Sequence, residues 1–349
     1  MDALQKLPIP LLIWYREHAR QLPWRSHPTP YRVWVSEIML QQTRVAAVLD
    51  YYRRFMGELP TVADLAAAEE GRLMKLWQGL GYYSRARNLQ KAARQIVEQH
   101  GGQFPGDYAA IRALPGVGDY TAGAVASIAF GLPIPAVDGN VLRVAARITG
   151  DEGDITTASM KKKVRAALEE IIPLDAPGDF NQALMELGAL VCLPNGAPLC
   201  ERCPAADFCA ACQQGRTDEL PVKAPKKGRR VEARQVYLIF CEDRVALRRR
   251  GEKGLLAGLW EYPNEIAETD ELARWGLAPV RTWRAGTAKH IFTHIEWHMT
   301  ALAAVLDNPY LPEGWVWAGR EELEREYALP SAFRGFQQTV TDILMQQGV

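Results

Sequence analysis

Four of the six cysteines in this chain lie between residues 192 and 209, in the stretch CLPNGAPLCERCPAADFC. This cluster constrains the fold, because the four thiols must meet either in disulfides or around a metal. The N-terminus lacks the basic region, long apolar run and small-residue cleavage site of a signal peptide, so we expect a cytosolic chain with reduced thiols. The cysteines are therefore predicted to bind a metal.

The spacing of the thiols favours a 4Fe-4S cluster over zinc. Zinc sites usually take ligands from two CxxC pairs held apart by a longer segment, whereas here only Cys200 and Cys203 form such a pair. One tight loop of thiolates suits a compact cube, so the predicted ligands are Cys192, Cys200, Cys203 and Cys209. Zinc and free thiols are the alternatives, and Cys212 is close enough to compete with Cys209.

The balance of charge is even over the chain but uneven along it. The 41 basic and 41 acidic side chains cancel, so no global field attracts nucleic acid. Residues 216–230, RTDELPVKAPKKGRR, carry six Lys or Arg against two Asp or Glu and predict a basic linker. It separates a predicted helical domain at 1–215, with the cysteine loop at 192–212, from a mixed strand and helix domain at 231–349.

Several helix signals indicate an all-α bundle in the first domain. Thr29 and Pro30 are typical of a helix start, Thr43 is the predicted cap of the following helix, and Gly101 is a C-terminal glycine. The stretch IRALPGVGDYTAGAVASIAF predicts two helices joined by a turn that contains Gly116, Val117 and Gly118. A bare GxG turn is most often a plain helical hairpin. LPGVG followed by a helix of small residues resembles the helix-hairpin-helix motif, in which the helix N-terminus holds a DNA phosphate.

Asp138, in PAVDGNVLRVAARI, is predicted to cap the next helix or to supply an anion that stabilises a cationic sugar. Both roles are compatible, since a carboxylate at a helix N-terminus stays ionised. The hairpin, Asp138 and the cysteine loop together resemble the helix-hairpin-helix base-excision glycosylases that carry an iron-sulfur loop. That resemblance covers about residues 1–212.

Three more stretches resemble the adenine DNA glycosylases of the MutY type: LPWRSHPTPYRVWVSEIMLQQT, LWQGLGYYSRARNL and GLLAGLWEYP. The resemblance implies a mainly α glycosylase bundle with a smaller α+β Nudix-like domain. It also implies a monofunctional base excision repair enzyme that flips and excises adenine opposite 8-oxoguanine or guanine in duplex DNA. We expect a cytoplasmic, nucleoid-associated monomer of bacterial type, without membrane attachment.

The resemblance also assigns roles to individual residues. Glu37 is the implied general acid, and its apolar neighbours favour a raised pKa over a solvated charge. Asp138 is the implied anion or transient nucleophile, and Asn140 orients it. The implied walls of the adenine pocket are Arg20, Trp24 and Gln182. The residues implied to fill the gap left in the base stack are Gln42 and Tyr82. Ordinary packing is the alternative for Trp24 and Tyr82.

One residue distinguishes this chain from the endonuclease III-like enzymes, and one cysteine spacing departs from the family's usual pattern. Endonuclease III-like enzymes place a nucleophilic lysine where this chain has Tyr120, so we expect base release without strand cutting. The first two cysteines are separated by seven residues, LPNGAPL, where the family usually has six. An extra residue in a loop with Pro and Gly can bulge without displacing the thiols.

The C-terminal domain resembles a Nudix fold without its catalytic sequence. No REXXEEXGX string occurs, and the nearest acidic run, EELEREY, lacks its order, so lesion recognition is preferred over nucleotide hydrolysis. Phe292, Thr293 and His294 match a Phe-Ser-His loop that contacts 8-oxoguanine in the family. In one extended strand, each of His290, His294 and His298 would lie roughly 13 Å from the next, too far to share an ion.

Two other functions stay open at the level of sequence. One is an endonuclease III-like glycosylase and lyase, which Tyr120 and the second domain disfavour. The other is a DNA-binding or Nudix-type nucleotide-handling protein without glycosylase activity, which the combination of Glu37 with Asp138 disfavours.

Overall fold

A computed structural model describes residues 2–225, 228–266 and 271–347. Lys226 and Lys227 of the predicted linker lie outside the described residues. The chain divides into two compact units, which we call the helical unit (residues up to 67 together with 88–225) and the mixed unit (68–87 together with the described residues from 228 onward). Residues 68–87 pack with the C-terminal unit, which no local pattern predicted. The domain boundaries at 215 and 231 stay a prediction.

Short helices with short connections make up the chain as far as residue 215, and α7 is the helix among them that belongs wholly to the mixed unit. In chain order they are α1 (Asp2–Gln5), α2 (Pro8–His18), α3 (Pro23–Ser26), α4 (Pro30–Leu40), α5 (Val45–Glu58), α6 (Val62–Ala67), α7 (Glu70–Trp77), α8 (Ser84–His100), α9 (Tyr108–Arg112), α10 (Asp119–Phe130), α11 (Gly139–Thr149), α12 (Ala158–Glu169), α13 (Pro177–Leu190) and α14 (Ala210–Gln213). No helix in the described part of the chain is long and apolar enough to span a bilayer.

Helix ends follow the local sequence with one exception. The Thr29 side chain accepts a hydrogen bond from the Arg32 amide at 3.3 Å, and Pro30 opens α4. Gly101 follows α8 with φ of 60°, a conformation that glycine adopts without strain. The prediction that Thr43 caps the next helix was wrong. Helix α5 begins at Val45 after Arg44, which makes no side-chain cap, because the chain between Leu40 and Arg44 turns before the helix starts.

Helix α10 is the centre of the helical unit. Its residues from Thr121 to Ser127 are all buried, and it packs against α4 and α13. A Cβ on Gly123 would lie 2.5 Å from the Pro135 carbonyl oxygen, so glycine is needed for the close packing of α10 against the segment before α11. Helix α13 also contacts α2 and α11. This packing brings α4, α10, α11 and α13 around one cavity.

One sheet forms the body of the mixed unit, with helices added. The strands and helices are β1 (Arg230–Cys241), β2 (Arg244–Arg249), β3 (Trp260–Glu261), β4 (Asn264–Ile266), α15 (Glu271–Arg274), β5 (Arg281–Ile291), β6 (Ile295–Val305), β7 (Trp315–Ala318), α16 (Arg320–Arg325) and α17 (Arg334–Gln347). The strand order is β3-β2-β1-β6-β5, with β4 paired to β1 and β7 to β2. Strands β1 and β6 are parallel, and the other pairs are antiparallel. This is the smaller α+β unit expected from the sequence.

The histidine-containing stretch is a hairpin rather than one extended strand. In the antiparallel pair of β5 and β6, Lys289 lies opposite His298 and His290 opposite Trp297. The Phe292 amide donates to the Ile295 carbonyl at 2.8 Å and closes the turn. The separation expected for the histidines in a single strand was therefore wrong, because the apolar alternation continues on both sides of the turn. The tip of this hairpin carries residues 292–294.

Candidate active site

A cavity of about 600 Å³ lies between the central helices of the helical unit. The residues predicted for catalysis and base binding that line it are Arg20, Trp24, Glu37, Tyr120, Asp138, Asn140 and Gln182. They come from α3 with the segment before it, α4, α10, the start of α11 and α13, so five distant parts of the sequence converge on one space. A cavity of this volume accommodates a nucleobase with its sugar.

Glu37 lies on the buried face of α4 and is 5% exposed. Its carboxylate accepts a hydrogen bond from the Tyr120 hydroxyl. Burial raises the pKa of Glu37 to about 7; the Tyr120 hydrogen bond lowers it, Asp138 raises it and Arg25 lowers it. The carboxyl therefore retains its proton over a large part of the neutral range.

Tyr120 lies at the start of α10, where its hydroxyl donates to Glu37 and lies 3.3 Å from the Met185 sulfur. Burial, followed by the carboxylates of Glu37 and Asp138, raises the pKa of Tyr120 well above its ordinary value. The phenol stays protonated and acts as a hydrogen-bond donor to Glu37.

Asp138 caps helix α11, as predicted. It accepts hydrogen bonds from the Val141 amide and from the Asn140 side chain, each at 2.8 Å. Burial raises the pKa of Asp138, while these two donors and Arg143 lower it. The capping bonds favour the ionised form that the sequence led us to expect, and burial opposes it.

Asn140 links Asp138 to the cysteine loop. Its side-chain oxygen accepts from Arg143 at 2.9 Å, and Arg143 in turn donates to the Cys192 carbonyl at 2.8 Å. A Cβ on Gly188 would lie 2.6 Å from the Asn140 Cβ, so glycine lets α13 approach this network. A continuous hydrogen-bonded path therefore connects Asp138 with the first cysteine.

The pocket walls include a pair of residues that the sequence did not reveal. Glu186 on α13 is a fully buried carboxylate that forms ion pairs with Arg20 and with Arg25. Both Arg25 and Glu186 line the cavity. Glu186 lies in a stretch of mostly apolar helical residues, ALMELGAL. A charged side chain among such neighbours was the sequence feature that could have identified it. Trp24 is 5% exposed and packs edge-on against Tyr52, with ring centroids 5.1 Å apart.

The cysteines converge on a second, smaller cavity of the helical unit. Its lining includes all five thiols of the loop region, Cys192, Cys200, Cys203, Cys209 and Cys212. Arg147 donates to the Cys192 sulfur at 3.2 Å, and Cys209 donates to the Arg147 carbonyl at 3.4 Å. Within the described residues, no three Cys, His, Asp or Glu side chains are grouped as ligands of one metal ion. The five thiols line this one small space.

The glycine turn between α9 and α10 has two distinct glycines. Gly116 has φ of 75°, and a Cβ there would lie 2.6 Å from the Asn88 Cβ. Gly118 precedes α10 as its N-terminal cap, and a Cβ there would meet no atom within 4 Å. Val117 is buried between them. The backbone amides at the start of α10 are thus left accessible beside Gly118.

The remaining predicted residues lie outside the main cavity, and Tyr82 belongs to a different unit from Gln42. Gln42 is exposed in the helical unit, with φ of 60°. In the mixed unit, the Tyr82 hydroxyl shares a hydrogen bond of 2.9 Å with the Thr293 hydroxyl. Tyr82, Phe292, Thr293 and His294 line a cavity of about 450 Å³ in that unit. The role that the resemblance gives to Gln42 and Tyr82 in the base stack stays a prediction.

Comparison with known proteins decides the family. Residues 35–174 match the HhH-GPD superfamily of base excision DNA repair proteins, and residues 235–338 match the NUDIX domain. The adenine DNA glycosylase of Mus musculus is 38% identical in an alignment that covers 89% of this chain and 73% of the mouse protein. The chain belongs to the adenine DNA glycosylase family. The member from Homo sapiens is 36% identical and covers 94% of this chain and 73% of its own length.

Solved glycosylase structures also resemble this adenine DNA glycosylase family member. A thermostable thymine-DNA glycosylase superposes with a TM-score of 0.56 at 29% identity, over 61% of this chain and 98% of the other. An endonuclease III bound to DNA gives a TM-score of 0.51 at 26% identity, over 60% of this chain and 97% of the other. The predicted family, fold class, enzyme class and DNA partner are confirmed. This chain is a DNA glycosylase of base excision repair with a Nudix-like C-terminal unit.

Proposed function

We propose that this enzyme is a monofunctional glycosylase that releases adenine mispaired with 8-oxoguanine or guanine in duplex DNA. The observation that carries the proposal is that a buried carboxyl, Glu37, and a capped carboxylate, Asp138, line the same cavity. Two carboxyl groups in different environments are what an acid and an anion need for cleavage of a glycosidic bond.

Adenine is a poor leaving group, so bond cleavage requires a proton on the base. Glu37, with a pKa of about 7, donates that proton while the Tyr120 hydroxyl holds the carboxyl in place. The bond between the base nitrogen and C1′ then breaks, and the positive charge that develops on the sugar is stabilised by Asp138. Water adds to C1′ and gives its proton to the Glu37 carboxylate, which leaves free adenine, an abasic site and a reprotonated acid.

The residue at position 120 argues for base release without strand cleavage. A phenol cannot form the Schiff base that a lysine forms, and the Tyr120 hydroxyl is already bonded to Glu37. The test is an end-labelled duplex with adenine opposite 8-oxoguanine. We expect free adenine, strand breaks only after alkali, and no enzyme trapped by borohydride. Strand breaks without alkali would favour the lyase alternative.

Two substitutions test the roles of the carboxyl groups in the same assay. Glu37→Gln keeps the shape of the side chain but cannot donate the proton, so it should bind the mispaired duplex and release no adenine. Asp138→Asn should be severely impaired as well, because it cannot balance the cationic sugar. Glu170→Gln, at an exposed position of the same unit, is the matched control and should retain full activity. Full activity of Glu37→Gln would remove this residue from the mechanism.

A 4Fe-4S cluster held by the cysteine loop is the second part of the proposal. In a cube, each thiolate binds a different iron, so its ligands surround a volume, whereas the ligands of zinc converge on one ion. The gathering of the thiols at one cavity supports a shared metal group. The spacing of the cysteines favours the cube, with Cys192, Cys200, Cys203 and Cys209 as its ligands. When bound, such a cluster supplies a rigid crosslink for the loop.

The metal content of the purified protein tests this assignment. Anaerobically purified enzyme should be yellow-brown and contain about four iron atoms per chain. Cys200→Ser should lower both the iron content and the yield of folded protein, because metal binding and folding of the loop are coupled. Stoichiometric zinc in a colourless protein would contradict the assignment.

The third part of the proposal concerns the base opposite adenine. Adenine is a normal base, so a selective enzyme must inspect its partner. Thr293 at the tip of the β5–β6 hairpin has a hydroxyl that can bond to an edge group of 8-oxoguanine, and Tyr82 fixes that hydroxyl. The mixed unit is therefore the proposed lesion-recognition unit.

A further inference from the structure

The ring of Phe292, the residue before Thr293, is held from both strands of the β5–β6 hairpin. It packs edge-on against His290, with ring centroids 4.5 Å apart, and against Trp297, with ring centroids 4.9 Å apart. His290 and Trp297 lie directly opposite each other in the pairing of the two strands. Edge-on aromatic contacts stabilise one arrangement of the rings beyond the burial of apolar area. Phe292 is therefore fixed at the base of the turn that carries Thr293.

Trp297 is anchored by polar groups although it is almost fully buried. It is 1% exposed, and it lies opposite Glu232 in the parallel pairing of β1 with β6. The indole N–H donates to Glu232 Oε2 at 2.9 Å, and Arg234 Nη1 donates to the same oxygen at 3.0 Å. The Arg234 guanidinium carbon lies 4.5 Å from the centroid of the Trp297 ring. The indole is thus held both at its edge and on its face.

Glu232 is an ionised acceptor for this indole. Its pKa is below the ordinary value: burial raises it, but the hydrogen bonds from Arg234 and Trp297 and the charges of Arg230 and Arg234 outweigh that effect. Arg230 Nη2 donates to the other carboxylate oxygen, Oε1, at 2.5 Å. An ionised acceptor gives a stronger hydrogen bond than a neutral one, and a buried N–H without any acceptor pays its full desolvation penalty. Rotation of the indole away from Glu232 is therefore unfavourable.

We propose that Trp297 and Glu232 are positioning residues for recognition of the base opposite adenine. They hold Phe292, and through it the Thr293 hydroxyl, in the orientation that bonds to 8-oxoguanine. Thr293 itself is exposed, so its orientation depends on the bond from Tyr82 and on the buried residues behind the turn. A group that is already oriented loses less conformational entropy on binding than a mobile one. This inference rests on the proposed function, because it extends recognition from the hairpin tip to the strands behind it.

The experiment measures single-turnover rates of the full-length enzyme on adenine opposite 8-oxoguanine and opposite guanine. Loss of folded enzyme lowers both rates by the same factor, so their ratio reports recognition alone. Trp297→Phe keeps an aromatic ring but loses the N–H that bonds to Glu232. We expect it to lower the ratio about threefold, less than the full value of one hydrogen bond, because the Thr293 hydroxyl is present but less well oriented. Trp275→Phe, the same change in a separate apolar cluster of the mixed unit, should leave the ratio unchanged.

Substitution of Glu232 tests the same contact from its other side. Glu232→Leu leaves the indole N–H without an acceptor and should lower the ratio as Trp297→Phe does. Glu232→Gln retains an acceptor oxygen and should lower the ratio less. The Glu232 variants provide the test if Trp297→Phe does not accumulate as folded protein.

A double variant shows whether Trp297 acts through the Thr293 hydroxyl. In the Thr293→Ala background there is no hydroxyl to orient, so Trp297→Phe should have no further effect on the ratio. An equal reduction in both backgrounds would overturn the inference, as would an unchanged ratio in both Trp297→Phe and Glu232→Leu. The proposed recognition by Thr293 fails separately, if Thr293→Ala alone leaves the ratio unchanged. If Thr293→Ala lowers the ratio and the Trp297 and Glu232 variants do not, only the positioning role is wrong.

Discussion

At the scale of single residues, the burial of Glu37 favours catalysis near neutral pH but lowers stability as pH rises. Its pKa is about 7 in the folded chain and 4.5 ordinarily. Between these values the unfolded chain has lost the proton that the folded chain keeps. The contribution of Glu37 to stability is therefore greatest below about pH 4.5 and is lost as pH rises through 7. The same shift supplies a protonated acid near neutral pH.

The rate of adenine release should follow the protonation of Glu37. Above a pH of about 7 the protonated fraction falls tenfold for each further unit, and the single-turnover rate should fall with it. The measurement is a series of single-turnover assays between pH 6 and 9 at saturating enzyme. A rate that stays constant across this range would show that Glu37 does not donate the proton in the slow step.

Glu37→Gln should stabilise the helical unit, although it abolishes activity. At pH 8 the wild-type chain must bury an ionised carboxylate, and the amide removes that cost while it can still accept from Tyr120. We expect the melting temperature to rise by a few degrees at about pH 8 and to change little at about pH 5. Calorimetry at both pH values measures this, with the exposed substitution Glu170→Gln as control. A gain of the same size at both pH values would contradict the ionisation argument.

The sequence predicts the carboxyl groups better than it predicts the pocket around them. Resemblance to the family identified Glu37 and Asp138; the apolar neighbours of Glu37 and the helix that follows Asp138 supported both assignments. Arg25 and Glu186 were missed, because their ion pair joins residues 161 positions apart and local patterns carry no information on such contacts. Resemblance to the family likewise identified Arg20 but not Glu186, the carboxylate that pairs with it.

At the scale of elements, the two glycines of the turn before α10 are needed for different reasons. Gly116 is needed for the structure of the turn, and we expect Gly118 to be needed for DNA binding. Gly116→Ala should destabilise the helical unit by about 2 kcal/mol or more, from the left-handed backbone and the clash with Asn88. Gly118→Ala should cost under about 1 kcal/mol, since its Cβ meets open space. It should nevertheless weaken binding of undamaged duplex DNA, because the Cβ occupies the position where a phosphate approaches the α10 amides.

Denaturation curves and anisotropy titrations measure both effects for each variant. Equal losses of stability in the two variants would show that the structure at Gly118 is as crowded as at Gly116. Unchanged duplex affinity of Gly118→Ala would show that DNA does not approach this turn.

Hairpins and helix starts were the elements that the sequence predicted least well. The alternation around His290 and His298 is that of a strand on both sides of the turn, and no glycine or asparagine marks the turn at residues 292–294. Thr43 has the right side chain for a cap, but the backbone between α4 and α5 places Arg44 there. In both cases the direction of the backbone determined where the element begins or ends. Side-chain patterns do not encode that direction.

At the scale of the whole molecule, the mixed unit is assembled from two separate parts of the sequence. Lys75 donates to the carbonyls of Leu323 at 2.8 Å and Tyr327 at 3.2 Å, and Gln78 donates to that of Leu329 at 3.0 Å. These bonds join positions about 250 apart, which no local pattern predicts. A truncation near residue 225 would remove the acceptors, so the function of this unit is best tested in the full-length chain.

Selectivity for the opposite base provides that test. Thr293→Ala should reduce the preference for 8-oxoguanine over guanine by about 1 kcal/mol, the value of one hydrogen bond, while Thr293→Ser keeps the hydroxyl and should be nearly silent. Tyr82→Phe removes the hydroxyl that bonds to Thr293 and should give a smaller loss of preference. The measurement is the ratio of single-turnover rates on duplexes with adenine opposite each base. Thr282→Ala, on an exposed site of β5 away from the hairpin tip, should leave the ratio unchanged. If Thr293→Ala also leaves it unchanged, the mixed unit does not recognise the opposite base through this hydroxyl.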